Sequence, residues 1–425
     1  MYIFVLRNTK RPMNMKQILV KAFQKVWRTW FRDEGNVKPV MCEEKPKDVT
    51  KRILRFFEKR FDFRYNQLTG VTEYRPKGAT GESFHPIDER EMNGLIIEAR
   101  LEGIYCWNSQ VQTWVLSNKV KAYHPFHLYM KELPDWDGTD RVTPFLKRVS
   151  DEEWWLHDAR CWLRAMTAQW IGKERTHANA LMPVLMSREQ GMGKSTFCRL
   201  LLPDSLQTYY LDHLNLSPGA SPEKKIVNNG LINLDEFDKI SEKRQPDLKN
   251  LLQMLSVQVY RGKRLGYITE PRLASFIATT NSLRFLTDPT GSRRFLCVEV
   301  KRYISDMPLE HKQFYAQLKW ELSEELPDFL NKEEEAALQR RNKKYYRESM
   351  LEDVFHACFR LPDETHKGEW MTAAEMFKVM VKHNASALRG ITAKQLSYRL
   401  RGLGLLPRHT EYGNVYQVVK QGTSS

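Results

Sequence analysis

Three apolar runs punctuate the middle of the chain: LMPVLM at 181–186, LINL at 231–234 and ASFIATT at 274–280. Each is short, nearly uninterrupted and followed at once by polar residues. That is the pattern of buried strands in one α/β sheet, joined by short helical crossovers. Elsewhere the period changes. Between 15 and 31, Ile18, Leu19, Phe23, Val26, Trp27 and Trp30 recur at helical intervals among Lys16, Lys21, Lys25 and Arg28, a basic amphipathic helix that suits docking onto another domain or subunit. The Pro and Lys run at 38–47 reads as a linker. Residues 48–60 set Ile53, Phe56 and Phe57 on one helical side, FDFRY at 61–65 alternates as a strand, 71–74 is expected to pair with it across Thr69 and Gly70, and 89–102 reads as a helix.

The chain beyond 333 is equally patterned. Residues 333–346 are strongly charged and read as a helical connector, after which 351–361 restart a buried pattern. Thr372 with Glu375, and Thr392 with Gln395, form two capping boxes, each opening an apolar helical repeat. The second repeat, 392–401, turns Leu396 and Leu400 inward and Lys394, Arg399 and Arg401 outward. Residues 408–412 and 415–419 then alternate around Gly413 and Asn414 as a hairpin. Helix, helix and hairpin make a winged helix, a module that lays its second helix in a DNA major groove or serves protein contacts.

The polar ends of the three central runs carry the chemistry. The first run opens into Gln190, Gly191, Met192, Gly193, Lys194, Ser195 and Thr196, the strand, turn and helix start of a P-loop. Backbone N–H groups of such a loop point inward as an anion nest, lysine reaches the β- and γ-phosphates, and serine sits on Mg²⁺. Arg188 stands where the usual pattern has its outer small residue, so that position must tolerate a side chain facing solvent. The second run delivers Asp235 and Glu236. Adjacent acids at a strand end suit two roles, one ordering Mg²⁺ and the other polarising an attacking water. The third ends at Asn281, placed to sense the γ-phosphate or hold the lytic water. DPTGSRRF at 288–295 then offers Arg293 and Arg294, whose guanidinium groups suit a γ-phosphate of the same or a neighbouring subunit. Each feature alone has a plain structural reading: a glycine loop, an acidic strand end, a turn-starting amide, solvated arginines. Their order, at intervals of roughly 40, 45 and 12 residues, suits successive strands of one sheet.

On the stretches QGMGKST, INLDEFD, ATTN and DPTGSRRF the chain resembles the virulence-associated protein E family, whose ATPase core is similar to the superfamily 3 helicases of viruses, phages and mobile elements. The segment YRGKRLGYITEPR at 260–272 matches the place where those helicases carry a β-hairpin that projects into the channel of a ring. There the resemblance implies a grip on single-stranded DNA by Arg261, Lys263 and Arg264, and Gly262, Gly266, Tyr260, Tyr267 and Ile268 suit a hairpin on their own composition. The fold expected is α/β: a P-loop ATPase core of the ASCE, AAA+-like class at 151–332, behind the basic helix and linker at 1–47 and an α+β N-terminal domain at 48–150. The connector and winged helix complete it at 333–425. ATP and Mg²⁺ are the expected cofactors. Expected partners are single-stranded DNA in the channel, duplex DNA at Lys394, Arg399 and Arg401, and further copies of the chain, as a hexamer. The function implied is a DNA-dependent ATPase, a replicative helicase or initiator of a mobile element. An ATP-controlled DNA-binding switch without unwinding, or a scaffold with a decayed P-loop, are the rival readings.

Composition bounds this picture without choosing within it. The 425 residues, 41% hydrophobic and 28% charged, suffice for several globular domains. A net charge of +15 points to a polyanionic partner. Six cysteines lie scattered without CxxC spacing, which suggests neither a zinc site nor a disulfide framework. No run reaches the length of a membrane span, and the opening MYIFVLR is too short for a secretory core, so a cytosolic protein without membrane contact is expected. Asp135 and Asp137 form a DxD in PDWDGTDR, read as part of a tight bend rather than a metal site.

Overall fold

The computed structural model describes residues 46–421 apart from 80, 82, 174–175, 218, 242–243, 263–265, 287–288, 347–349, 364, 402 and 412. The basic helix expected at 15–31, its linker, Lys263 and Arg264 lie outside the described residues. The chain divides into two compact units, 1–62 with 88–114, and 63–87 with 115–425.

In the first unit, helices Pro46–Arg60 and Glu89–Leu101 bury Val49, Ile53, Phe56, Phe57, Leu95, Ile96 and Ala99. Phe57 stacks on Trp114 with ring centroids 4.9 Å apart. The Asp88 carboxylate caps the second helix by accepting from the Glu91 N–H at 2.8 Å, and Arg60 reaches across to Glu98 and Glu102.

The second unit is built on a parallel sheet. Its strands are β5 (Met182–Met186), β6 (Tyr210–Leu211), β7 (Leu231–Leu234), β10 (Ser275–Thr280) and β11 (Phe295–Glu299), in the order β11-β5-β10-β7-β6 with every pairing parallel. Alternate residues feed opposite faces. Leu185, Ile277, Leu231 and Leu296 enter a core closed by helices Val142–Lys147, Glu153–Ile171 and His311–Ser323, whereas Val184, Met186, Ile232, Phe276 and Cys297 enter another closed by Pro222–Asn228 and Gln245–Gln253. Burial on both faces explains the nearly unbroken apolar runs. Glu321, 1% exposed, clamps the first layer as the ion-pair partner of Arg160 at 2.6 Å and Arg164 at 3.2 Å.

Strands β1 (Phe61–Asn66), β2 (Val71–Pro76), β3 (His85–Pro86) and β4 (Ala122–Tyr123) form a small sheet of order β3-β2-β1-β4. Asn66, 1% exposed, donates to the Tyr209 hydroxyl and to Glu73, each at 2.7 Å, and so fixes this sheet to the parallel core. Strands β8 (Ser256–Tyr260) and β9 (Tyr267–Pro271) pair as an antiparallel hairpin that follows helix Gln245–Gln253 and precedes β10 along the chain. In PDWDGTDR the Asp137 carboxylate is held bidentate by Arg141 at 2.7 Å, and Trp136 packs on Trp320. Arg141 accordingly holds the Asp137 carboxyl well below the usual range.

Residues beyond 350 have their own core, including Phe355, Phe359, Met376, Met380, Leu396, Leu400 and Val418. Helices Met350–Cys358, Ala373–His383 and Ala393–Leu400 pack against β12 (Phe359–Arg360), β13 (Glu369–Thr372), β14 (Arg408–Thr410) and β15 (Gly413–Lys420). Both capping boxes are present, with Thr372 and Glu375, and Thr392 and Gln395, exchanging side-chain and backbone hydrogen bonds. Among the described residues, no helix is long and apolar enough to cross a membrane.

Two stability tests follow from the packing. A Cβ on Gly230 would lie 2.2 Å from Cζ of Phe126, a fully buried ring wedged against Trp170 and Tyr209. Gly230→Ala is expected to cost about 1–3 kcal/mol by overpacking, read as a lower denaturation midpoint; an unchanged midpoint would show that the ring can yield. The second concerns His124, whose Nδ1 accepts from the His127 N–H at 3.3 Å as a helix cap and so must stay unprotonated. Burial, and then the facing His127, push its pKa down from 6.5 to about 4. The unfolded chain therefore binds a proton that the folded chain refuses, and stability present above pH 6.5 is lost as pH falls toward 4. Urea titrations at both ends of that window should differ by on the order of 2 kcal/mol from this residue. His124→Asn, which caps without titrating, should flatten the difference; an equal pH dependence in the variant would remove His124 as its source.

Candidate functional site

Because the sheet is parallel, the carboxyl ends of β5, β7 and β10 open at one edge, and the residues following them meet there. Gln190, Gly191, Met192, Gly193, Lys194, Ser195 and Thr196 after β5, Asp235 and Glu236 after β7, and Asn281 after β10 line one cleft of about 450 Å³. Thr279, Thr280 and Tyr303 complete its wall. Arg188 is exposed, so its side chain leaves the loop free.

The turn is tight for a steric reason. Gly191 and Gly193 have φ of 74° and 80°, and a Cβ on Gly193 would meet the Ile304 carbonyl oxygen at 2.6 Å. The loop leads directly into helix Lys194–Leu200, whose Phe197 and Cys198 are buried beneath the cleft. Lys194 is 8% exposed. Its ammonium donates to Ser187 Oγ at 2.5 Å and Asn281 Oδ1 at 2.9 Å, with the Glu189 carbonyl at 3.5 Å. Among the described residues no carboxylate pairs with it. Burial lowers its pKa, and the charge of Asp235 partly opposes that shift.

The acid pair is divided by its backbone. One oxygen of Asp235 accepts from Thr279 Oγ1 and from the Glu236 N–H, which holds the carboxylate against β10. Glu236 has φ of 52°, a left-handed conformation unusual for its residue type, and turns its exposed carboxylate to Lys239 at 2.6 Å. Thr280 Oγ1 donates to Asp238 at 2.5 Å, a further tie between β10 and the turn after β7.

Several basic residues stand apart from this cleft. Arg293 pairs with Glu335 at 3.2 Å, and it and Arg294 line a different cavity of about 280 Å³ with His177, Asp328, Phe329 and Glu335. Arg261, grouped from sequence with Lys263 and Arg264, follows β8 where the hairpin turn begins, and its side chain, 19% exposed, is locked by Glu270 at 2.5–2.6 Å and by Asn228. Its guanidinium is thus paired within its own chain. On helix Ala393–Leu400 and the residue after it, Lys394 and Arg401 are exposed as expected, but Arg399 turns toward Glu352 at 3.5 Å. The neighbouring Tyr398, 74% exposed, shares the open face.

Sequence reasoning did not select Ser187, Thr279, Thr280 or Tyr303. The first three had a signal, since each is a hydroxyl at the polar end of an apolar run. Tyr303 had none, because nothing local shows that the chain after β11 returns to the glycine loop.

Residues 348–418 match a model of a domain of unknown function, DUF3874. No curated protein matches. Among solved structures, the apo C-terminal region of NrS-1 superposes with a TM-score of 0.45 at 13% identity, covering 88% of this chain and 99% of that one. A structure titled "SCCmec type IV Cch - active helicase" superposes with a TM-score of 0.34 at 11% identity, covering 84% and 92%. Overlaps this low do not establish a common fold. The match that does carry weight spans residues 130–347, half of the chain and all of the cleft, and by it the chain belongs to the virulence-associated protein E-like family.

Proposed function

We propose that the chain is a P-loop ATP hydrolase that works on DNA, as a ring-forming replicative helicase or initiator of a mobile element. The observation that carries this reading is Lys194: a nearly buried cation, held on neutral oxygens and without a carboxylate partner among the described residues. Such a charge is costly unless an anion joins it, and a triphosphate supplies one. Gly191 and Gly193 supply the open backbone for the phosphate, and Gln190, Met192 and Thr196 border it.

The residues present also fit Mg²⁺. Ser195 and the oxygen of Asp235 not engaged by Thr279 would hold it, and the ion, when bound, neutralises charge on the transferring phosphoryl group. Glu236 would accept the proton of the attacking water, which requires its carboxylate to leave Lys239. Asn281, already on Lys194 and therefore beside the outermost phosphate, would report on the γ position. Arg293 and Arg294 line another cavity of their own chain, which favours action on the nucleotide of a neighbouring copy, in a hexamer. The hairpin basics Lys263 and Arg264 would track single-stranded DNA in the channel. The helices and hairpin beyond 350 would form a winged helix whose exposed Lys394 and Arg401 meet duplex phosphates. The pairing of Arg261 with Glu270 leaves fewer hairpin cations for a strand and favours, as second reading, an ATP-controlled DNA-binding switch without unwinding. Strand displacement of a forked duplex separates the two.

Lys194→Ala should abolish nucleotide binding and turnover. Glu236→Gln should retain binding and lose at least about 100-fold in turnover, measured as steady-state ATP hydrolysis with and without single-stranded DNA. Unchanged turnover in either variant would remove these assignments. Lys394→Ala with Arg401→Ala should weaken duplex binding and reduce the salt-dependence slope by about 2, while Arg399→Ala, already turned to Glu352, should change it least. A slope unaltered in the double variant would make the C-terminal module a protein-contact surface.

A further inference from the structure

Tyr303 is a large aromatic side chain left 59% exposed at the border of the cleft that holds Gly191, Gly193 and Lys194. Its backbone is anchored on both sides. The Val300 N–H donates to the Met186 carbonyl at 2.6 Å, and the Ile304 N–H donates to the Met192 carbonyl at 3.0 Å. The segment is thereby tied to the end of β5 and to the glycine loop itself. Arg302 pairs with Asp151 at 2.8 Å and donates to the Lys147 carbonyl, while Arg148 donates to the Met307 carbonyl at 2.6 Å. The close approach of Gly193 to the Ile304 carbonyl fixes the spacing between segment and loop.

An exposed ring on so constrained a backbone leaves apolar area in water and has little freedom to fold it away. Among the described residues the Tyr303 hydroxyl has no hydrogen-bond partner, and no other ring stacks on its face. Much of the remaining lining, by contrast, is polar: Lys194, Ser195, Asp235, Thr279 and Asn281. A ligand that meets both the ring and these groups is a polyanion carrying a flat apolar group.

We propose that Tyr303 is the stacking platform for the nucleobase, a subsite for a planar heteroaromatic ring beside the phosphate loop. The inference rests on the phosphate reading of Lys194 and adds the part of the nucleotide that reading leaves unassigned. Stacking on a ring face discriminates by surface rather than by edge, so purine nucleotides bind more tightly than pyrimidine ones, with little choice between adenine and guanine. The tyrosine is a binding residue and takes no part in the transfer to water.

The test compares two ligands that share the phosphate chain and differ in the base. Binding of adenylyl imidodiphosphate and of inorganic tripolyphosphate, each with Mg²⁺, is measured calorimetrically on the full chain and on Tyr303→Ala, Tyr303→Phe and Lys194→Ala. Tyr303→Ala should weaken the nucleotide about tenfold and leave tripolyphosphate unchanged; Tyr303→Phe should bind both as the parent does, and Lys194→Ala should lose both. Equal weakening of the two ligands by Tyr303→Ala, or an unchanged nucleotide affinity, would overturn the base subsite and leave the ring as a structural or intersubunit residue. Undiminished binding of both ligands by Lys194→Ala would instead overturn the phosphate reading, and this subsite with it.

Discussion

A lysine ammonium held inside the protein on neutral oxygens is the constraint around which the α/β core is arranged. Desolvating a cation costs several kcal/mol, and the hydroxyl of Ser187 and the amide of Asn281 return only part of that. The charge of Asp235 offsets a further part, opposing the lowering of the Lys194 pKa by burial. Asp235 is in turn positioned by Thr279, and Asn281 follows two residues later, just past the end of β10. One buried charge thus links the ends of three strands that the chain visits far apart.

The parallel sheet makes that linkage geometrically simple. With β5 lying between β11 and β10, and β7 next to β10, every strand delivers its carboxyl end to the same edge. Side chains alternate between two apolar layers, so the strands are held from both faces and only their ends are free to carry chemistry. The segment after β11 closes the arrangement by returning to Met192 and Gly193, and carries Tyr303 with it.

The positive charge of the chain is sorted by contacts rather than spread evenly. Arg160 and Arg164 are consumed by the buried Glu321, Arg141 by Asp137 and Glu310, Arg261 by Glu270 and Arg399 by Glu352. Lys394 and Arg401 remain open to solvent, and Lys194 faces inward. A basic composition therefore overstates the number of cations available to a polyanion, and the pairings decide which ones count.

The sequence by itself determined what depends on near neighbours. The apolar runs marked β5, β7 and β10, their polar ends named the loop residues with Asp235 and Asn281, and both capping boxes were legible because cap and partner lie three residues apart. Periodicity and local hydrogen bonds carry that information within one element. Only the tertiary structure decided that Asn66 fastens the small sheet to Tyr209, 143 residues away, that Arg261 and Arg399 are already paired, and that Arg293 lies outside its own chain's cleft. It alone brought Tyr303 to the glycine loop. Those outcomes depend on which surfaces meet when the layers pack, and no pattern along a single segment encodes the partner waiting on another.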